Sequence, residues 1–180
     1  KVLMDGHQIL SATDSTYANG RVGFYLWDVL LSEFEELNVE EGDTTAPAQN
    51  LVTQDNFNDN ILSGWTSEDH ATASGTSFWI EVATVLFQLS PIGDELSGNT
   101  IANPGTVMIN DATIPDDMQF SLSCVNTTDG SMGAVFRYTD ADNHYRFVMN
   151  RKSRYRQLQK VVNGKWTVLA ENRQDFTYFQ

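Results

Sequence analysis

Hydrophobic and polar residues alternate along most of this chain, in short runs set apart by Gly, Asn and Asp. In Phe120-Ser-Leu-Ser-Cys-Val125, Tyr145-Arg-Phe-Val-Met-Asn150 and Lys165-Trp-Thr-Val-Leu-Ala170 one set of alternate side chains is apolar. A period of two is that of a strand with one face buried, and no stretch carries the spacing of an amphipathic helix. The pattern predicts a hairpin from Val2 to Leu3 and Gln8 to Ser11, then strands at Arg21 to Trp27 and Glu33 to Val39. Further strands are predicted at Ser77 to Val82, Thr84 to Ser90, Thr106 to Ile109, Met118 to Val125, Gly133 to Tyr138, Tyr145 to Asn150, Arg154 to Val162 and Lys165 to Ala170. Met4-Asp-Gly6 and Asn163-Gly164 are turns of the kind that needs positive φ, and Ala18-Asn-Gly20 opens the strand after it. The chain is therefore all-β and antiparallel.

Periodicity fails over Glu40-Glu-Gly-Asp-Thr-Thr-Ala-Pro-Ala-Gln-Asn50, which is polar and contains proline. Residues 40–50 are expected to be a linker between a first piece, residues 1–39, and a second, residues 51–180. Such a linker spans about 35 Å when extended.

Residues 133 to 171, from Gly133-Ala-Val-Phe-Arg-Tyr-Thr-Asp-Ala-Asp-Asn-His-Tyr-Arg-Phe147 through Asn163-Gly-Lys-Trp-Thr-Val-Leu-Ala-Glu171, resemble the middle strands of bacterial laminin G-like (concanavalin A-like lectin) domains, close to the thrombospondin C-terminal type. Asp55-Asn-Phe-Asn-Asp-Asn60 with Gly64-Trp65 resembles the opening of the same domains, Phe-x-Asp followed by Gly-Trp. Gly20-Arg-Val-Gly-Phe-Tyr-Leu-Trp27 and Phe34-Glu-Glu-Leu-Asn-Val39 resemble its closing strands, yet here they come first. The resemblance implies an antiparallel β-sandwich of jelly-roll, concanavalin A-like type, permuted or strand-sharing. Residues 1–39 would be the closing strands of a sandwich and residues 51–180 the opening and middle strands. Three arrangements satisfy the exposed edges: continuation into neighbouring repeats, strand exchange between copies of the chain, or the first piece folding into the gap of its own second piece.

Charge sharpens this picture. The net charge is −13, and no Lys or Arg stands between Arg21 and Arg137 while 18 of the 24 acidic residues do. Such acidity argues against nucleic acid as a partner and suits divalent cations. Apolar runs such as Val82 to Leu89 are too short for a membrane helix, so no span is expected. The single cysteine, Cys124, alternates with apolar neighbours and reads as a packing thiol.

Eight basic residues crowd into positions 137–165. If their strands neighbour one another in order, Arg137, Arg146, Arg154 and Arg156 share one open sheet face. By the resemblance, a saccharide lies on such a face, and guanidinium groups suit sulfate or uronate. Acidic loops offer oxygen ligands for calcium: Asp140 and Asp142 in one, Asp55 and Asp59 in another, the latter joined by Glu35 or Glu36 where the resemblance places a structural calcium. His7, His70 and His144 stand apart in the sequence, without metal-ligand spacing. Glycosidase and lyase signatures, nucleophile elbows and phosphate loops are absent. Trp27, Trp65, Trp79 and Trp166 suit sugar stacking if exposed and core packing otherwise. The expectation is a non-catalytic, extracellular lectin-like module of a repetitive bacterial surface or secreted protein, serving adhesion or a filament. An acidic-polysaccharide-binding module and a polysaccharide-degrading enzyme are the alternatives.

Overall fold

The computed structural model describes residues 1–42, 50–71, 75–93 and 104–173. These residues form fourteen strands: β1 (Val2–Met4), β2 (His7–Leu10), β3 (Arg21–Trp27), β4 (Ser32–Glu41), β5 (Leu51–Asp55), β6 (Trp65–Asp69), β7 (Trp79–Val82), β8 (Val85–Gln88), β9 (Thr106–Asn110), β10 (Met118–Asn126), β11 (Ser131–Asp140), β12 (Asn143–Asn150), β13 (Tyr155–Val162) and β14 (Lys165–Asn172). Seven make one antiparallel sheet in the order β14, β13, β12, β11, β3, β9, β6. In the second sheet β10 pairs along one edge of β4, and the other edge is divided between β8, which continues to β7, and β5. A separate hairpin joins β1 to β2.

The two sheets pack face to face as a β-sandwich. Phe24 of β3 stacks on Phe34 of β4 with ring centroids 4.2 Å apart, and on Trp65 at 5.2 Å. Val22, Phe24, Leu26, Phe34, Leu37 and Val39 are all buried in this core, joined by Trp79, Leu86, Met108, Met132 and Met149. Burying each large apolar side chain contributes about 1.5–3 kcal/mol. Residues 1–42 thus supply the middle of both layers: β3 lies between β9 and β11, and β4 between β10 and the β8 and β5 pair. Within this one chain the first piece therefore lies among the strands of the second.

Local chemistry explains most boundaries. Asp5 and Gly6 turn the first hairpin at φ 50° and 77°, and Asn163 with Gly164 turns β13 into β14 at 48° and 72°, as those residue pairs require. The expected linker is partly sheet: β4 runs to Glu41, whose N–H donates to Asn50 O at 2.9 Å, and Gly42 N donates to Asp117 O at 3.0 Å. The rest of residues 40–50 lies outside the described residues. β5, which the alternation did not predict, follows at once. Strand β13 begins at Tyr155 rather than Arg154, because Arg154 takes a left-handed turn conformation, φ 51°.

The connection leading into β3 is tied to the far half of the chain. The Asp14 carboxylate accepts from the Tyr145 hydroxyl, from Lys160 Nζ at 2.5 Å and from Thr16 N at 2.9 Å. Burial alone would raise its pKa, but these donors hold the carboxyl well below the usual carboxylate range. Tyr17 adds a hydroxyl bond to Val161 O at 2.7 Å.

Candidate functional site

Directly opposed residues of an antiparallel pair point to the same side of a sheet, so the registers define which side chains share a face. On the seven-stranded sheet one face packs the core. The other carries Thr66 and Glu68 of β6, Val107 and Ile109 of β9, Arg21 and Tyr25 of β3, Val135 and Tyr138 of β11, His144, Arg146 and Val148 of β12, Tyr155, Gln157 and Gln159 of β13, and Glu171 of β14. Its middle is a second apolar cluster of Tyr25, Val107, Ile109, Val135, Tyr138 and Val148, with Trp27 and Tyr155 packed against it. Polar groups run across this apolar floor in two chains.

The first chain crosses β12, β13 and β14. Arg146 Nε donates to Gln159 Oε1 at 2.6 Å, Gln159 Nε2 to Gln157 Oε1 at 2.5 Å, and Gln157 Nε2 to Glu171 Oε2. Arg173 closes the row from the other side, its Nε 2.6 Å from Glu171 Oε1. Two guanidinium groups thus direct protons toward one carboxylate, which lowers the Glu171 pKa, first through Arg173 and then through Gln157. The row runs from buried Arg146, whose guanidinium lies 4.8 Å over the Tyr25 ring, to exposed Arg173, which lies 5.7 Å over the Tyr155 ring.

The second chain joins β6 and β11. Tyr138 donates its hydroxyl proton to Glu68 Oε2 at 2.6 Å, because a carboxylate only accepts, and its oxygen stands 2.9 Å from His70 Nε2. His70 therefore carries its proton on Nε2. Arg21 stands 3.8 Å from Glu68 and 5.5 Å over the Tyr138 ring. The ring of His144 lies 5.2 Å from that of Tyr138 and 6.0 Å from that of His70. His144 Nδ1 is 3.1 Å from Asp140 O, so the proton sits on Nδ1 and the buried Nε2 presents a lone pair with no hydrogen-bond partner. Burial, then the Arg146 charge, pulls its pKa down to about 3, and burial likewise lowers that of His70. Burial and the Glu68 carboxylate raise that of Tyr138.

The expected arginine face is divided. Arg146 is on the outer face as expected, but its partner in register is Gln159, while Arg156 pairs with Met149 and points to the core side. The turn from Asn150 to Tyr155 sets this parity, which alternation within each strand does not reveal. Arg154 is exposed in that turn. Arg137 occupies a β-bulge at φ 49°, donating to Tyr17 O at 2.5 Å and Asp116 O at 2.9 Å. The extra residue shifts the alternation, so that Tyr138 takes the place on the outer face that Arg137 was expected to fill.

The expected calcium ligands are dispersed. Both Asp55 oxygens accept N–H groups, from Phe57 N at 2.8 Å and Trp65 Nε1 at 2.7 Å. Asp59 Oδ1 accepts from Ile61 N at 2.9 Å. Asp140 Oδ1 takes Asp142 N and Asn143 Nδ2, both at 2.9 Å, and Asp142 O caps Gly164 N at 3.1 Å. Glu35 and Glu36 are exposed at a shallow cavity of about 350 Å³ shared with Asn56, Thr84 and Ser123, at the seam where β8 and β5 meet the edge of β4. Glu35 accepts from Ser123 Oγ at 3.2 Å, and Glu36 from Asn38 Nδ2 at 2.7 Å. Among the described residues no group of three Asp, Glu, His or Cys side chains is placed to hold a metal ion.

Trp65 and Trp79 are core residues. Trp166 stands on β14, half-buried, opposite Val161 on the outer face. Cys124 packs on the core, where burial pushes its thiol up to about 12. His70 and His144, which stand apart in the sequence, are neighbours here, while His7 lies apart on β2, and two glutamines with Glu81 join the polar groups the sequence reading passed over. The one signal for the glutamines was their placement at alternate positions inside an otherwise well-formed strand. No protein-family model, curated protein or solved structure matches the chain. No helix among the described residues is long and apolar enough to cross a membrane.

Proposed function

We propose that this sandwich is a non-catalytic, lectin-like module of a secreted or surface repeat protein, of the laminin G-like and concanavalin A-like kind, acting in adhesion or as a structural unit. It takes an acidic saccharide on the outer face of the seven-stranded sheet. The observation that carries this reading is the row from Arg146 through Gln159, Gln157 and Glu171 to Arg173. A guanidinium group lies over a tyrosine ring at each end of this row, and its exposed end, Arg173 above Tyr155 beside Glu171, pairs a planar cation with an aromatic surface in the way that suits a sugar bearing sulfate or carboxylate groups. Entry is from the β14 side, where Arg173 and Glu171 are exposed.

Affinity electrophoresis through gels holding a polyuronate, a sulfated glycan or a neutral glucan tests this. Retardation by the acidic polymers alone is expected, weakened several-fold in Arg173→Ala. Equal mobility in all three gels would leave the structural-unit reading without the saccharide.

A second reading, cleavage of a uronate polymer by elimination, is favoured by one observation: the unprotonated His144 Nε2 shares a face with Tyr138, His70 and Arg146. An ultraviolet signal from unsaturated uronate ends, growing with time and lost in His144→Asn, supports it. A flat trace with each acidic polymer removes it.

A further inference from the structure

We infer that the outer face of the β7–β8 hairpin, on the opposite side of the sandwich from the saccharide face, docks a segment of another protein that carries apolar residues together with Lys or Arg. In β7, Trp79 and Glu81 turn into the sandwich, 8% and 5% exposed, so Ile80 and Val82 turn outward. The same alternation in β8 buries Leu86 and Gln88 and turns out Val85 and Phe87. The register sets these outward residues directly against one another, Ile80 against Phe87 and Val82 against Val85. Phe78 and Leu89 add a further pair, with Leu89 N donating to Phe78 O at 3.0 Å. The hairpin is thus apolar on its outer face, where a sheet turned toward water carries polar side chains. Phe78, Val82 and Leu89 are 53%, 44% and 38% exposed. Apolar residues exposed singly are ordinary, but cross-strand pairs in succession form a contiguous patch of the kind that a partner covers.

Charge selects the partner. On β4, beside the hairpin, Glu33 stands in register between Phe87 and Val125. Glu35 and Glu36 line the shallow cavity that also takes in Thr84, the turn residue next to Val85. Strands β4, β5, β7, β8 and β10 of this sheet hold no Lys or Arg, and no ion pair among the described residues reaches Glu33, Glu35 or Glu36. A segment whose apolar residues cover the hairpin therefore meets carboxylates one strand further on, about 5 Å beyond β8. There a Lys or Arg stem lies along apolar surface with its charge among acidic groups. A second copy of the chain fits poorly, because a face-to-face contact gathers these glutamates from both copies and each chain carries a net charge of −13. An anionic lipid surface is repelled by the same carboxylates.

Fluorescence anisotropy of labelled peptides with the full chain tests this. A peptide of leucine and lysine should bind at least about tenfold more tightly than one of leucine and glutamate or one of serine and lysine, and less tightly as salt is added. The double change Phe78→Ser with Val82→Ser, at two exposed positions, should weaken that binding about tenfold and leave the urea midpoint unchanged. Glu35→Gln with Glu36→Gln should weaken it several-fold and flatten its salt dependence. Arg173→Ala, on the opposite sheet, should bind the peptide as the native chain does, which separates this surface from the saccharide face. Equal affinity for the lysine and glutamate peptides, or full affinity in the Phe78→Ser, Val82→Ser chain, overturns the inference. So does a dimer in sedimentation, or adsorption to anionic vesicles, that the same double change abolishes, since a second copy or a membrane would then own the face. The peptide comparison needs only the native chain and decides the matter should a variant fail to fold.

Discussion

The main-chain carbon of Arg137 lies 2.4 Å from where a Cβ on Gly20 would sit. Gly20 has φ 142°, a conformation that side chains disfavour, and forms an isolated bridge with Ile114. The bulge at Arg137, which turns Tyr138 onto the outer face, therefore depends on a residue without a side chain at position 20. Gly20→Ala should cost about 2–4 kcal/mol, since neither backbone can yield without breaking the pairing. A urea midpoint lowered accordingly checks this, and near-native stability would show that the bulge forms without Gly20.

Ala83 and Thr84 turn β7 into β8 with φ 51° and 73°, values suited to Asn and Gly and costly for a β-branched residue. Replacing the pair, Ala83→Asn with Thr84→Gly, should raise stability by about 1 kcal/mol, which denaturant titration reads directly.

Stability should fall in mild acid. His144 titrates near 3 in the folded chain against 6.5 in the unfolded one, and burial shifts His70 in the same direction. Below the unfolded value the unfolded chain binds protons that the folded chain refuses, so the histidine contribution is complete above about pH 6.5 and is lost as the pH falls toward 3. The groups around His144 are Arg146, which opposes its protonation, Asp140, which favours it, and neutral His70. Asp14 acts in the same direction but only within and below the ordinary carboxylate range. Urea midpoints between about pH 7 and pH 5 should therefore slope downward in the native chain and much less in His144→Asn.

Arg146 and Gln159 are both buried and bonded through Nε and Oε1. Gln159→Ala removes the acceptor and should cost about 2–3 kcal/mol, while the paired change Arg146→Met with Gln159→Leu should recover much of that loss. A double-mutant cycle by denaturant unfolding measures the coupling. Additive losses would mean that the two side chains act independently.

Alternation alone located nearly every strand, and the Asp5-Gly6 and Asn163-Gly164 turns are where their residues place them. The face each side chain occupies was legible only in part. Arg146 and Arg156 separate because the turn between β12 and β13 pairs Asn150 with Tyr155, and Arg137 leaves the face because of a bulge. Neither register nor bulge is written in the period of a single strand. His70 and His144 meet against the ring of Tyr138, His144 from the neighbouring strand β12 and His70 from the end of β6, a relation of topology that no spacing in the sequence carries. Glu81 escaped notice for another reason. One glutamate in Trp79-Ile-Glu-Val82 looks like a solvent-facing position until β7 is placed at the sheet edge with that residue turned inward.

The central placement of β3 and β4 has a consequence for synthesis. Both leave the ribosome before the partners on which they depend: β3 must wait for β9 and β11, and β4, which meets β5 and β8 sooner, must wait for β10. Most stabilising contacts thus close over long stretches of sequence, which slows folding and prolongs the lifetime of open strand edges. The nascent chain is most exposed to aggregation while residues beyond 130 are still being made. Silent changes that speed or slow translation in that interval should alter the yield of folded protein more than those made within β3 and β4.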